Sequence, residues 1–119
     1  MNKKDNEKNI MQRASQVLPQ GSLGNLNYDL VIERGKGGHV WDESGNEYID
    51  YLLGSGPMII GHSHDEVTKA TITQLQKGTT FFANNEKAIQ LAEEIVRAVP
   101  CAEKVRFFST GSEATLYAM

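Results

Sequence analysis

At 119 residues, with 15 acidic against 12 basic side chains and a net charge of −3, the chain has the size and balance of one small globular domain. The acidic balance gives no electrostatic footprint for nucleic acid or an anionic membrane, and no run reaches the roughly 18 apolar residues of a spanning helix. A single cysteine, Cys101, excludes an intrachain disulfide, and the first nine residues are polar rather than a secretory segment, so a soluble, cytoplasmic protein is expected.

In chain order, Ile10, Ala14, Val17 and Leu18 recur at helical spacing and predict a short opening helix that Pro19 stops. Gly21 to Asp29, rich in Gly, Ser and Asn, predicts a loop. Three strand-like runs follow, Leu30–Arg34, His39–Asp42 and Glu47–Tyr51, joined by the turns Gly35–Gly38 and Glu43–Asn46. They make an antiparallel meander. Leu52–Gly61 is apolar but carries three glycines and Pro57, which predicts a closely packed loop that lets another group approach.

The second half is helical. Ser63 and Glu66 fit a capping box for a helix that Lys77 and Gly78 end. Ala88, Leu91, Ala92, Ile95 and Val99 then form one apolar stripe on a helix that starts at Glu86 and that Pro100 stops. Lys104–Ser109 predicts a strand, Thr110, Gly111 and Ser112 a turn, and Glu113 onward a helix within which the chain stops. The expected organisation is a β-rich unit over residues 1–61 and the opening of an α/β layer over 62–119. That layer has no second parallel strand, so an isolated 119-residue piece would expose its apolar stripe and aggregate.

The stretch with the most chemistry is Phe107 to Ala114. A strand that ends in a hydroxyl and glycine turn and enters a helix presents free N–H groups and the positive end of the helix dipole, the ingredients of a phosphate site. Thr110 and Ser112 are candidate hydroxyl donors, and Gly111 lets backbone approach a phosphate oxygen because it has no Cβ. The ordinary alternative is a capped turn, since Ser and Thr cap helices in every fold. No P-loop lysine follows, so a nucleoside triphosphate is not indicated.

The run from Gly38 to Asp42, then Gly45 to Tyr51, resembles the small-domain hairpin of class III aminotransferases. So, in order and approximate spacing, do Gly56 and Pro57, Gly61 and His62, Leu91 to Glu93, and Ser109 to Ala114. The resemblance covers nearly the whole chain. It implies the N-terminal part of a pyridoxal 5'-phosphate (PLP) fold-type I transferase, an α/β fold in which a small antiparallel β unit precedes the large cofactor-binding domain. It implies that Thr110, Gly111 and Ser112 hold the cofactor phosphate and that Ser55 and Gly56 face the substrate. It also implies a Schiff-base lysine, and none of the eight lysines here lies in a comparable context, so no catalytic residue is assigned and the piece is expected to be inactive alone. A homodimer acting on a small-molecule amino donor and a carbonyl acceptor is implied for the full length.

Within the family the pattern is similar to glutamate-1-semialdehyde 2,1-aminomutase, with two departures. That enzyme typically has Trp where Ser55 stands and an Arg in the loop spanning Gly21–Asp29, which here has none. Without a guanidinium to clamp a substrate carboxylate, an intermolecular aminotransferase is preferred, with the aminomutase as its alternative and a noncatalytic phosphate-binding remnant as a third. His62, His64 and Asp65 resemble a metal set, but the preferred reading is that the histidines flank a helix cap, so no metal is assigned. Trp41, Tyr48 and Tyr51 are read as hairpin packing, and Glu93 with Glu94 as a solvated helix face.

Overall fold

The computed structural model describes residues 3–23 and 29–119; the middle of the loop expected over Gly21–Asp29 lies outside the described residues. Helix α1 runs over Lys3–Val17, followed by strands β1 (Ile32–Lys36), β2 (His39–Asp42) and β3 (Glu47–Ile49) and helices α2 (Asp65–Leu75), α3 (Glu86–Ala98) and α4 (Gly111–Ala118). The described chain divides into two compact units, residues 1–76 and 77–119.

The first unit is built on the meander. β2 pairs antiparallel with both neighbours, in the order β1-β2-β3. The first turn is tighter than expected: Lys36 already pairs with His39, which leaves Gly37 and Gly38 alone at the tip, with Gly37 at φ 57°. β1 accordingly spans Ile32–Lys36 rather than Leu30–Arg34, and a bulge at Glu33 shifts its register. β3 ends at Ile49, so Tyr51 lies beyond it and is exposed rather than packed in the hairpin. Trp41 does pack, beneath the Arg34 guanidinium, which lies 3.6 Å from its ring centroid across the strand pair.

Helix α1 is longer than its apolar spacing predicts because its polar first turns are also used. The Glu7 carboxylate accepts the Val31 N–H at 3.0 Å and the Ser44 hydroxyl, and Asn6 donates to Glu43 at 3.3 Å. Glu7 lies three and seven residues before Ile10 and Ala14, so all three share one helix face. At the end of β2, Asp42 is the one fully buried side chain among the described residues. Its carboxylate accepts the Asn46 N–H at 2.7 Å, the Asn46 side-chain amide at 2.8 Å and the Tyr48 hydroxyl at 2.8 Å. The second turn is thus organised around one anion.

Two helix starts differ from expectation. Ser63 takes φ 50° and lies one residue before the cap of α2, which is His64, so Glu66 is at the second helical position and the Ser63–Glu66 capping box does not form. The box occurs instead at α4, where Thr110 is the cap and Glu113 the third residue, so α4 starts at Gly111 rather than Glu113. Helix α3 begins behind Asn85, whose side chain accepts the Lys87 N–H at 2.9 Å, and stops before Pro100. On its surface Glu94 pairs with Arg97, as a solvated acidic face would.

The strand expected over Lys104–Ser109 does not form. A strand exists by its ladder, and among the described residues no other strand pairs with this segment. For a related reason no apolar side chain among the described residues is buried. Ile72, Leu91 and Phe82 are all at least half exposed, and polar contacts provide the buried interactions of the first unit.

Those contacts predict acid sensitivity. Burial pushes the Asp42 carboxyl up, but the hydrogen bonds from Asn46 and Tyr48 outweigh it and hold it below the usual value. The hydrogen bond from His62 lowers Asp50, and Lys36 lowers Asp65. Carboxylates lowered in the folded state contribute stability that is fully present above their unfolded value of about 3.9 and is lost as pH falls through the lowered folded values. In the full-length protein with any downstream tryptophan replaced by phenylalanine, Trp41 fluorescence is expected to stay native at about pH 5 and to change as pH falls below about 4, with Asp42→Asn flattening the change. A profile identical in Asp42→Asn would remove Asp42 from this account.

Candidate functional site

The turn into α4 lies in the second unit. Thr110 is extended, at φ −137° and ψ 153°, and its Oγ1 accepts the Glu113 N–H at 3.1 Å. Glu113 returns the bond, since its carboxylate accepts the Thr110 N–H at 2.9 Å and the Thr110 hydroxyl at 3.1 Å. The Thr110 hydroxyl is therefore engaged in the cap and is not the free donor that the sequence suggested. Its role is to fix the turn.

What remains open is the pair of N–H groups at Gly111 and Ser112, which occupy the first two helical positions and have no acceptor one turn back. Neither makes a hydrogen bond with another described residue. Gly111 borders open space, because a Cβ built there would meet no atom within 4 Å. Two aligned N–H groups, the Ser112 hydroxyl beside them and the positive helix end form a donor set for an oxyanion. The helix is fastened to the preceding segment by Phe108 on Tyr117, centroids 4.7 Å apart, with the Arg106 guanidinium 5.3 Å from each ring. Sequence reading missed that cluster, although Phe108 and Tyr117 are the aromatic residues on either side of the turn.

Ser55 and Gly56 lie in the first unit, in the loop from Asp50 to His62. Leu53, Gly54, Ser55 and Gly56 all have positive φ, at 47°, 65°, 66° and 112°. For Leu53 and Ser55 this left-handed form costs roughly 1–2 kcal/mol each, because their Cβ crowds the backbone. Ser55 and Gly56 are exposed at the bend.

The loop is pinned at both ends to the β1–β2 turn. Asp50 N–H donates to the Gly38 carbonyl at 2.8 Å, while His62 and Gly37 exchange both backbone bonds at 2.8 and 2.9 Å. The expected close approach of backbone therefore occurs at Gly61 and Gly37. His62 Nε2 meets Asp50 Oδ2 at 2.6 Å. His62 is thus a partner of Asp50, and among the described residues no three His, Cys, Asp or Glu side chains are grouped to hold a metal. Asp50, Leu52, Gly54 and His62 line one groove with Ile32 and Val40.

Residues 21–119 match the family described as aminotransferase class-III. The chain is 39% identical over 121 residues to a glutamate-1-semialdehyde 2,1-aminomutase of Methanosphaera stadtmanae, covering 98% of this chain and 29% of that protein. A protein of the same name from Rhodopirellula baltica is 44% identical over 117 residues, covering 91% and 26%. Among solved structures, an omega-transaminase from Sphaerobacter thermophilus superimposes with a TM-score of 0.86 at 32% identity, over 94% of this chain and 26% of that one. A transaminase solved with PLP bound gives 0.86 at 30% identity, over 99% and 28%. The chain spans well under a third of the length of these relatives. With the hairpin, the left-handed loop and the capped α4 turn all inside the matched region, the chain belongs to the class III aminotransferase family and carries part of its PLP fold-type I architecture.

Proposed function

We propose that the full-length protein is a PLP-dependent aminotransferase that moves an amino group between an amine or amino acid and a keto acid or aldehyde. The observation that carries this reading is the pair of unengaged N–H groups at Gly111 and Ser112, held at a helix N-terminus by the Thr110–Glu113 box. That donor set fits a phosphate, and the space beside Gly111 leaves room for one. PLP bound there supplies an electron sink for the bond broken at the substrate's α-carbon. In this role Gly111 and Ser112 bind and orient the phosphate, Thr110 keeps the turn in register, and Ser55 and Gly56 face the substrate.

Several further features belong to the same proposal. The lysine that bonds the cofactor lies outside these 119 residues, so the piece alone is inactive. The large cofactor domain opens at residue 62, and the working enzyme is a cytoplasmic homodimer. Among the described residues no helix is long and apolar enough to cross a membrane.

One observation favours a second reading: the curated relatives just described are aminomutases by name. Ser55 and the absence of Arg between residues 21 and 29 favour intermolecular transfer. The two readings separate by acceptor dependence. Purified full-length protein incubated with PLP is expected to gain the cofactor's absorbance and to release product only when both an amino donor and a keto acid are present. Turnover of glutamate-1-semialdehyde with no added acceptor would favour the aminomutase, and no cofactor absorbance would sink both.

A further inference from the structure

The geometry points to Asp50 and His62 as positioning residues whose contact closes the 50–62 loop and holds Leu53–Gly56 in the left-handed form that presents Ser55 and Gly56. This inference rests on the reading that Ser55 and Gly56 face the substrate, and it adds two residues that touch neither substrate nor cofactor.

Four observations converge. The loop's ends are fixed to adjacent residues, Gly37 and Gly38, so Asp50 and His62 are brought side by side. Their side chains close the loop at 2.6 Å and are mostly shielded, at 15% and 22% exposure, which keeps solvent from competing for the bond. The other Asp50 oxygen accepts the N–H groups of Leu52 and Leu53 at 2.9 and 3.0 Å, at the point where the chain turns left-handed. The imidazole is held from behind, since a Cβ on Gly35 would come within 2.6 Å of His62 Cγ.

The bend needs such a hold. Leu53 and Ser55 lack the freedom of glycine, and four consecutive positive φ values persist only where the surroundings impose them. Within the loop, Ser55 N–H to Leu52, Gly56 N–H to Leu53 and Met58 N–H to Leu53 are bonds the bend makes to itself. The Asp50 carboxylate joins the bend to the sheet through the side chains of residues on both sides of it. It accepts three hydrogen bonds, none of them from Ser55 or Gly56.

The test uses the full-length protein loaded with PLP and three variants. In Asp50→Ala, amide exchange at Leu52 and Leu53 is expected to accelerate while Gly111–Ala118 is unchanged. KM for the amino donor is expected to rise about 10- to 100-fold with cofactor absorbance retained, the scale of effect that misplacement by an ångström produces. Asp50→Asn keeps an acceptor oxygen for both N–H groups, so it should restore slow exchange and bring KM back to within about threefold of the parent. Should Asp50→Ala fail to fold, His62→Ala, which keeps the backbone pairing with Gly37 and removes the contact to Asp50 Oδ2, is read by KM and cofactor absorbance, with an unchanged KM overturning the link to the substrate.

Unchanged exchange in Asp50→Ala overturns the clamp. Faster exchange with unchanged KM overturns its link to the substrate, and loss of cofactor absorbance together with exchange protection throughout the chain marks a merely structural role and overturns it too. If the parent enzyme transfers no amino group, the proposed function fails and the substrate link fails with it, while exchange in Asp50→Ala still decides whether the clamp exists.

Discussion

Replacing Gly61 with alanine is expected to destabilise the full-length protein by about 2–5 kcal/mol, the sum of a left-handed backbone penalty and an overpacking penalty. Gly61 has φ 79°, and a Cβ there would lie 2.7 Å from the Gly37 carbonyl oxygen and 2.8 Å from its carbon. Both are backbone atoms, so no rotamer change relieves the contact. Relief requires opening the Gly37–His62 pairing, which anchors the 50–62 loop.

The neighbouring glycines provide internal controls. Gly37 has φ 57° but open space around its Cβ position, so Gly37→Ala should carry the backbone term alone, about 1 kcal/mol. Gly38 has open space and no positive φ, so Gly38→Ala should stay within about 0.5 kcal/mol. Urea unfolding of the three variants is expected to rank them Gly61, Gly37, Gly38 in decreasing cost. A Gly61→Ala variant as mild as Gly38→Ala would mean that the backbone approach is not rigid.

That approach was only partly legible in the sequence. Three glycines and a proline between Leu52 and Gly61 announced a tight loop, but not which backbone would come close. β2 is found with its expected bounds and α3 within one residue of them, because alternation and the i, i+3, i+4 stripe are local signals. The Lys104–Ser109 strand failed because strand formation depends on a partner that local composition does not contain. Ser63 failed as a cap because its spacing to Glu66 fits a box in any frame, while the positive φ that moves it outside the helix follows from the His62–Gly37 pairing next to it. The Asp50–His62 contact joins residues twelve apart and has no periodic signature at all. Positive φ at Leu53 and Ser55 was equally hidden, since neither residue type advertises it. The turn at Thr110 and the helix after it were legible from the Thr, Gly, Ser, Glu order, whereas the engagement of the Thr110 hydroxyl in its own cap was not.

The remaining large effect is expected at that turn. Gly111→Pro removes one N–H and little else: proline is well accommodated at the first helical position, and the extended Thr110, with ψ 153°, is the conformation a residue before proline adopts. The Thr110–Glu113 box uses none of the atoms of residue 111, so the cap should survive. A hydrogen bond to a charged group contributes about 1.5–3 kcal/mol, so affinity for PLP in the full-length protein is expected to fall about 10- to 100-fold. Equilibrium titration monitored by cofactor absorbance measures it, with helix content as the control for folding. Gly111→Ala separates the ligand from the chain. Apart from its chain neighbours and the helix's own backbone, no described atom lies within 4 Å of the added Cβ, so any weakening in that variant reports a phosphate oxygen seated against residue 111. Proline weak and alanine normal would place the phosphate on the N–H but clear of the Cβ, and both weak would place it close against the backbone. If both bind PLP as the parent does, the cofactor phosphate lies elsewhere and the open N–H pair serves only to start a helix.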